Sequence, residues 1–122
     1  MQTAIIYVFS GTGNTLATAK MTASSFEERG IKTVVFSVRA PFKNTPLPAD
    51  FDYAGFAYPV HAFNTPRIFI DFVKSLPDSD NRAFILKTSG EPFHINDASS
   101  RKLYDLLLSK GFDVTLDRHL LM

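Results

Sequence analysis

Seven residues, Thr3-Ala4-Ile5-Ile6-Tyr7-Val8-Phe9, form an unbroken β-branched and aromatic run, and Ser10-Gly11-Thr12-Gly13-Asn14-Thr15 follows it without a spacer. An apolar run with no alternation is the pattern of a parallel strand covered on both faces. Leu16, Ala19, Ala23 and Phe26 then recur at helical spacing until Gly30, a residue suited to a left-handed helix cap. A strand, a glycine-rich turn and a helix within thirty residues commit the chain to the α/β class, in which a parallel sheet is covered by helices.

Strands and connections continue to alternate along the rest of the chain, with no internal sequence repeat. Residues 31–38 carry the strand signature again, whereas residues 39–50 hold Pro41, Pro46 and Pro48 and exclude a long helix, so an irregular crossover or a short turn is expected there. Residues 53–58 give a third strand. Thr65-Pro66 reads as an N-cap and first helical residue, with Ile68, Phe69, Phe72, Val73 and Leu76 on one stripe before Pro77. Residues 82–87 give a fourth strand. Asn96 or Asp97 caps a helix carrying Leu103, Leu106 and Leu107 up to Gly111, and a fifth strand opens at Phe112 and runs to Leu116 or beyond. At 122 residues the chain is expected to be a single domain, residues 1–122.

Composition removes several kinds of chemistry. With no cysteine, the chain has no disulfide, thiolate nucleophile or cysteine-ligated iron–sulfur cluster, so any redox chemistry must come from a bound cofactor. Thirteen Lys and Arg against twelve Asp and Glu, spread along the chain, leave no basic tract for nucleic acid. The start lacks a basic leader and the first apolar run is too short to span a bilayer, so a cytoplasmic location and no membrane association are expected.

The loop of residues 10–15 is where chemistry concentrates. A turn between a buried strand and a helix N-terminus collects unpaired backbone N–H groups, and the helix dipole favours an anion at the same place. Gly11 and Gly13 permit close backbone approach, Ser10, Thr12 and Thr15 offer hydroxyls, and Asn14 offers amide donors. No Gly-Lys pair follows, which excludes a nucleotide-hydrolysing phosphate loop. The dinucleotide fingerprint fails where Leu16 stands in place of its third glycine or alanine. His61, His94 and His119 lack metal-ligand spacing, and no Gly-x-Ser-x-Gly elbow supports a hydrolase, so neither a metal site nor a catalytic side chain is expected.

Ser10-x-Thr12-Gly13-x-Thr15 placed directly after an apolar strand resembles the FMN phosphate loop of flavodoxins. The wording from Tyr7 to Thr15, and later Tyr58-Pro59-Val60-His61-Ala62-Phe63-Asn64, is similar to bacterial proteins whose flavodoxin-like domain precedes a two-cluster ferredoxin module. That likeness covers essentially the whole chain, although the cluster-binding cysteines of the subgroup are absent. It implies a doubly wound, five-stranded parallel sheet of order 2-1-3-4-5, with Ser10, Gly11, Thr12, Gly13, Asn14 and Thr15 holding the FMN phosphate through uncharged groups.

Ligands of open parallel sheets sit beyond the carboxyl ends of the strands, where strand order reverses. By resemblance, the backbone of Tyr58, Pro59, Val60, His61, Ala62, Phe63 and Asn64 and that of Ser89, Gly90, Glu91, Pro92 and Phe93 would contact the flavin ring. Tyr58, Val60, Phe63 and Phe93 could supply flat faces, with Gly90 allowing close approach. The activity so implied is electron transfer to ferredoxin-type proteins or a reductase, with no essential acid–base residue. Two alternatives stay open: an FMN-dependent NAD(P)H or quinone reductase, and a flavin-free scaffold or interaction domain that keeps the fold.

The chain departs from that family in two respects. Flavodoxins are strongly acidic, whereas the formal charge here is +1, a field expected to disfavour the anionic, fully reduced flavin less. A complete domain also closes with a fifth helix, while this sequence stops at Leu120-Leu121-Met122. One sheet face is therefore expected to lack its helix and to be covered by a second copy of the chain or by a further segment.

Overall fold

The computed structural model describes residues 2–9, 14–59, 66–89 and 101–121, with the side chains of residues 14, 89 and 116–121 outside the description. Strands β1 (Gln2–Val8), β2 (Ile31–Ser37), β3 (Tyr53–Pro59), β4 (Arg82–Ser89) and β5 (Asp113–Leu121) form one sheet of order β2-β1-β3-β4-β5, parallel at every pairing. Helices α1 (Asn14–Glu28), α2 (Arg67–Ser75) and α3 (Arg101–Ser109) alternate with the strands. The doubly wound order expected from the sequence is the one observed.

Period-two alternation of buried strands divides the core into two layers. Ile5 and Tyr7 of β1 point to the same side as Ala54, Phe56 and Tyr58 of β3 and Ala83 and Ile85 of β4, and this layer packs against Phe69, Phe72 and Val73 of α2 and Leu103 and Leu107 of α3. Ile6 and Val8 point the other way with Ala57, Phe84 and Leu86, beneath Ala19 and Ala23 of α1. The first layer is unusually aromatic: Tyr7 stacks on Phe56 at 5.5 Å, Phe69 on Phe72 at 6.1 Å, and Phe112 meets Phe56 edge-on at 5.7 Å. Burial pushes the Tyr7 phenol well above its ordinary pKa, aided by the nearby Asp50 charge, and its hydroxyl donates to the Pro46 carbonyl at 2.6 Å.

The proline-rich crossover between β2 and β3 contains no α-helix, and a single 3₁₀ turn at Pro48–Asp50 is its regular structure. Val38, Phe42 and Phe51 from this segment pack against the aromatic layer instead, with Phe42 edge-on to Phe72 at 5.3 Å. In α2 the buried face is Phe69, Ile70, Phe72 and Val73, with Ile68 half-buried, and Pro66 occupies the N-cap position rather than the first helical turn. The proposed caps Thr65, Asn96 and Asp97 lie outside the described residues. Gly30 and Gly111 both take positive φ, as expected for residues ending α1 and α3.

β5 continues to Leu121, and its register with β4 skips Thr115, a bulge whose hydroxyl donates to the Ala83 carbonyl. On the α1 side of β4, Phe84 and Leu86 are only 6% and 4% exposed, while the side chains of residues 116–121 in β5, which bear on the cover expected to be missing, lie outside the described residues.

The amino end of the sheet is closely tied. Asn81, buried between α2 and β4, donates both amide hydrogens to the Pro48 and Phe51 carbonyls and accepts from the Ser79 hydroxyl. Its own carbonyl accepts the Asp113 N–H, and the Ser79 N–H donates to the Lys110 carbonyl. Three separate connections thus meet on one side chain and its neighbours.

Candidate functional site at the carboxyl end of the sheet

Strand order reverses at β1, which passes to β2 on one side while β3 lies on the other. At their carboxyl ends the neighbours are stitched together, with the Val38 N–H donating to Val8 and the Phe9 N–H donating to Ala57. Because the strands are parallel, β1, β3 and β4 end at Val8, Pro59 and Ser89 on the same edge of the sheet. Open parallel sheets bind ligands beyond this edge, where strand order reverses.

Ser10, Gly11, Thr12 and Gly13 lie outside the described residues, as do Val60, His61, Ala62, Phe63 and Asn64 and, after β4, Gly90, Glu91, Pro92 and Phe93. Asn14 and Ser89 are described through their backbone alone, as the first residue of α1 and the last of β4. Pro59 ends β3 half-buried. The Tyr58 ring is fully buried and packs on Phe69 at 5.5 Å, within the α2 layer. It faces the core because its place in β3 puts it on the same side as Phe56, so the ring does not supply the flat face expected of it; its backbone stays at the site edge.

α1 begins immediately after residues 10–13, and its first turn contains no acidic residue. The positive end of its dipole is therefore not neutralised by the helix itself, a setting that suits an anionic group held by N–H and hydroxyl donors. A phosphate monoester fits this donor set.

Thr15, the second residue of α1, is fully buried, and its hydroxyl lies 2.8 Å from that of Thr88, which is 3% exposed near the end of β4. Lys87 beside it is also buried. The sequence assigns Thr15 to the phosphate loop and places Thr88 at the start of the loop after the fourth strand, without a role for Thr88 or Lys87. The available signal was the polar run Lys87-Thr88-Ser89 closing a strand whose centre, Ala83 to Leu86, is apolar.

Among the described residues, no group of three His, Cys, Asp or Glu side chains converges, and no helix is long and apolar enough to cross a membrane. A depression of about 460 Å³ opens at the opposite, amino end of the sheet, lined by Gln2, Asp52, Asn81 and Arg82 among others. Its polar groups serve structure: Asp52 accepts the Thr3 N–H, and Asn81 makes the ties described above.

No protein-family model matches the sequence, and no curated protein matches it. Solved structures do. A short-chain flavodoxin associated with a non-canonical PDU bacterial microcompartment superposes with a TM-score of 0.76 at 15% identity, over 99% of this chain and 86% of that one. The chain has the flavodoxin fold. The same architecture relates it to an NAD(P)H:quinone oxidoreductase from Methanothermobacter marburgensis, with a TM-score of 0.68 at 16% identity over 98% and 82% of the two chains. An FMN-dependent NADH-azoreductase from Bacillus anthracis, solved with FMN, gives 0.67 at 11% identity over 98% and 86%. Proteins described as flavodoxins and as reductases thus share this scaffold.

Proposed function

We propose that this chain binds FMN non-covalently and serves as an electron-transfer protein. The observation that carries the reading is the start of α1, with an acid-free first turn, directly after the Ser10-Gly-Thr-Gly sequence at the point where strand order reverses. Ser10, Gly11, Thr12, Gly13, Asn14 and Thr15 would hold the phosphate, and the segments after β3 and β4 would flank the ring. When bound, FMN supplies the capacity to accept and release electrons singly. The protein contributes binding, orientation and adjustment of the potential, and no acid–base residue is required.

Its partners in this reading are ferredoxin-type proteins or a reductase in the cytoplasm, in keeping with the likeness to flavodoxin domains fused to ferredoxin modules. Titration with FMN and riboflavin side by side, followed by flavin fluorescence quenching, tests it. Much tighter binding of FMN supports a working phosphate loop. Binding of neither would refute the flavin reading and leave the scaffold alternative.

The second reading is an FMN-dependent reductase, favoured by the quinone and azo reductases that share the fold. Turnover of NAD(P)H with a quinone by the reconstituted protein would establish it, whereas an electron carrier stays inert without a separate reductase.

A further inference from the structure

We infer that Thr88 is a positioning residue for the cofactor phosphate, acting through the hydroxyl of Thr15; this rests on the FMN reading above. The two residues are 73 positions apart in sequence, yet their hydroxyl oxygens are 2.8 Å from each other and neither side chain is open to solvent. The described core layer on this side of the sheet includes Ile6, Val8, Ala57 and Leu86. Stability alone does not call for such a pair, because replacing both partners of a buried hydrogen bond by apolar groups of the same shape is close to neutral.

The direction of the hydrogen bond gives the pair a use. Each hydroxyl has one hydrogen to donate and two lone pairs to accept. If Thr15 donates to Thr88, its hydrogen is consumed inside the sheet. If Thr88 donates to Thr15, the Thr15 hydrogen is free for an acceptor at the N-terminus of α1. A phosphate dianion only accepts, so its arrival selects the second arrangement, in which Thr88 supplies the hydrogen bond that fixes the Thr15 oxygen. Thr88 is also the penultimate residue of β4, so the same contact ties the root of the phosphate segment to the root of the segment that would flank the ring.

The test is the ratio of FMN to riboflavin affinity in the full chain and in Thr88→Val, Thr88→Ser and Thr88→Ala, with far-UV circular dichroism and thermal melting of each apoprotein. Thr88→Val is expected to lose about tenfold or more in FMN affinity while riboflavin affinity is unchanged, and Thr88→Ser is expected to restore the ratio. If Thr88→Val does not fold, Thr88→Ala against Thr88→Ser decides the matter, since both shorten the side chain and serine alone keeps the hydroxyl. A wild-type ratio in the hydroxyl-free variants would overturn the inference, as would a parallel loss of FMN and riboflavin, the mark of a purely structural role. If the unmodified chain does not prefer FMN over riboflavin, the FMN reading itself fails and the inference falls with it.

Discussion

Adding one methyl group at Gly55 isolates the packing between β3 and β4. A Cβ at this position would sit 2.3 Å from both Cε2 and Cζ of Phe84 and 3.0 Å from Cε1, because the Phe84 ring lies across the glycine. Carbon atoms in ordinary contact are about 3.5–4.0 Å apart, so the ring must retreat by roughly 1 Å or more. It has little room, being nearly buried and held edge-on by Phe26 at 5.4 Å. Overpacking of this kind costs about 1–3 kcal/mol, against roughly 0.5–1 kcal/mol that alanine gains over glycine within a strand. Gly55→Ala should therefore destabilise the chain by about 1–2 kcal/mol. In a Phe84→Leu background the ring atoms are gone, and the same substitution should become neutral or stabilise by about 0.5 kcal/mol. Urea unfolding of the four proteins, with a common m-value, reads this directly as a double-mutant cycle. An equal cost of Gly55→Ala in both backgrounds would refute the argument that the Phe84 ring excludes a side chain at this position.

Replacing Asn81 by leucine removes two donors from the Pro48 and Phe51 carbonyls and should cost about 2–4 kcal/mol in urea unfolding, whereas most exposed substitutions stay within about 0.5 kcal/mol. The Tyr7 phenol is held above its ordinary value, so its protonated form stabilises the fold fully below about pH 10 and the contribution is lost as pH rises beyond that. Stability measured between pH 9 and pH 12 should accordingly fall less steeply in Tyr7→Phe, by about one proton's worth of slope. Potentiometry of the FMN-loaded protein should give a second one-electron potential higher than in strongly acidic flavodoxins, as the +1 net charge implies; an equally low value would remove charge as the explanation.

Much of the architecture was legible because burial on both faces leaves continuous apolar runs. Ala4 to Val8 and Ala54 to Tyr58 could hardly be anything but inner strands, and Gly30 and Gly111 marked helix ends through a conformation that other residues resist. The phase of α2 was harder, since Ile68, Phe69 and Ile70 are apolar in succession and three such neighbours do not single out a face. Contact with the sheet decides in favour of Ile70. The length of β5 was blurred by Asp117, Arg118 and His119, polar residues in a strand that is paired on one edge alone. At the candidate site, the proposed phosphate segment could be read from spacing because its parts are adjacent in the chain. The burial of the Tyr58 ring and the meeting of Thr15 with Thr88 depend on strands brought together by the fold, and no local pattern encodes them.

The ties on Asn81 bear on how such a protein could change over time. They fasten the crossovers at the amino end of the sheet, away from the end at which β3 and β4 hand the chain on to the segments proposed to meet the ligand. Lineages or designers could exchange the segments after β3 and β4 while the clamp preserves the frame, and a carrier could acquire a substrate, or a reductase lose one, without the chain having to find a new way to fold.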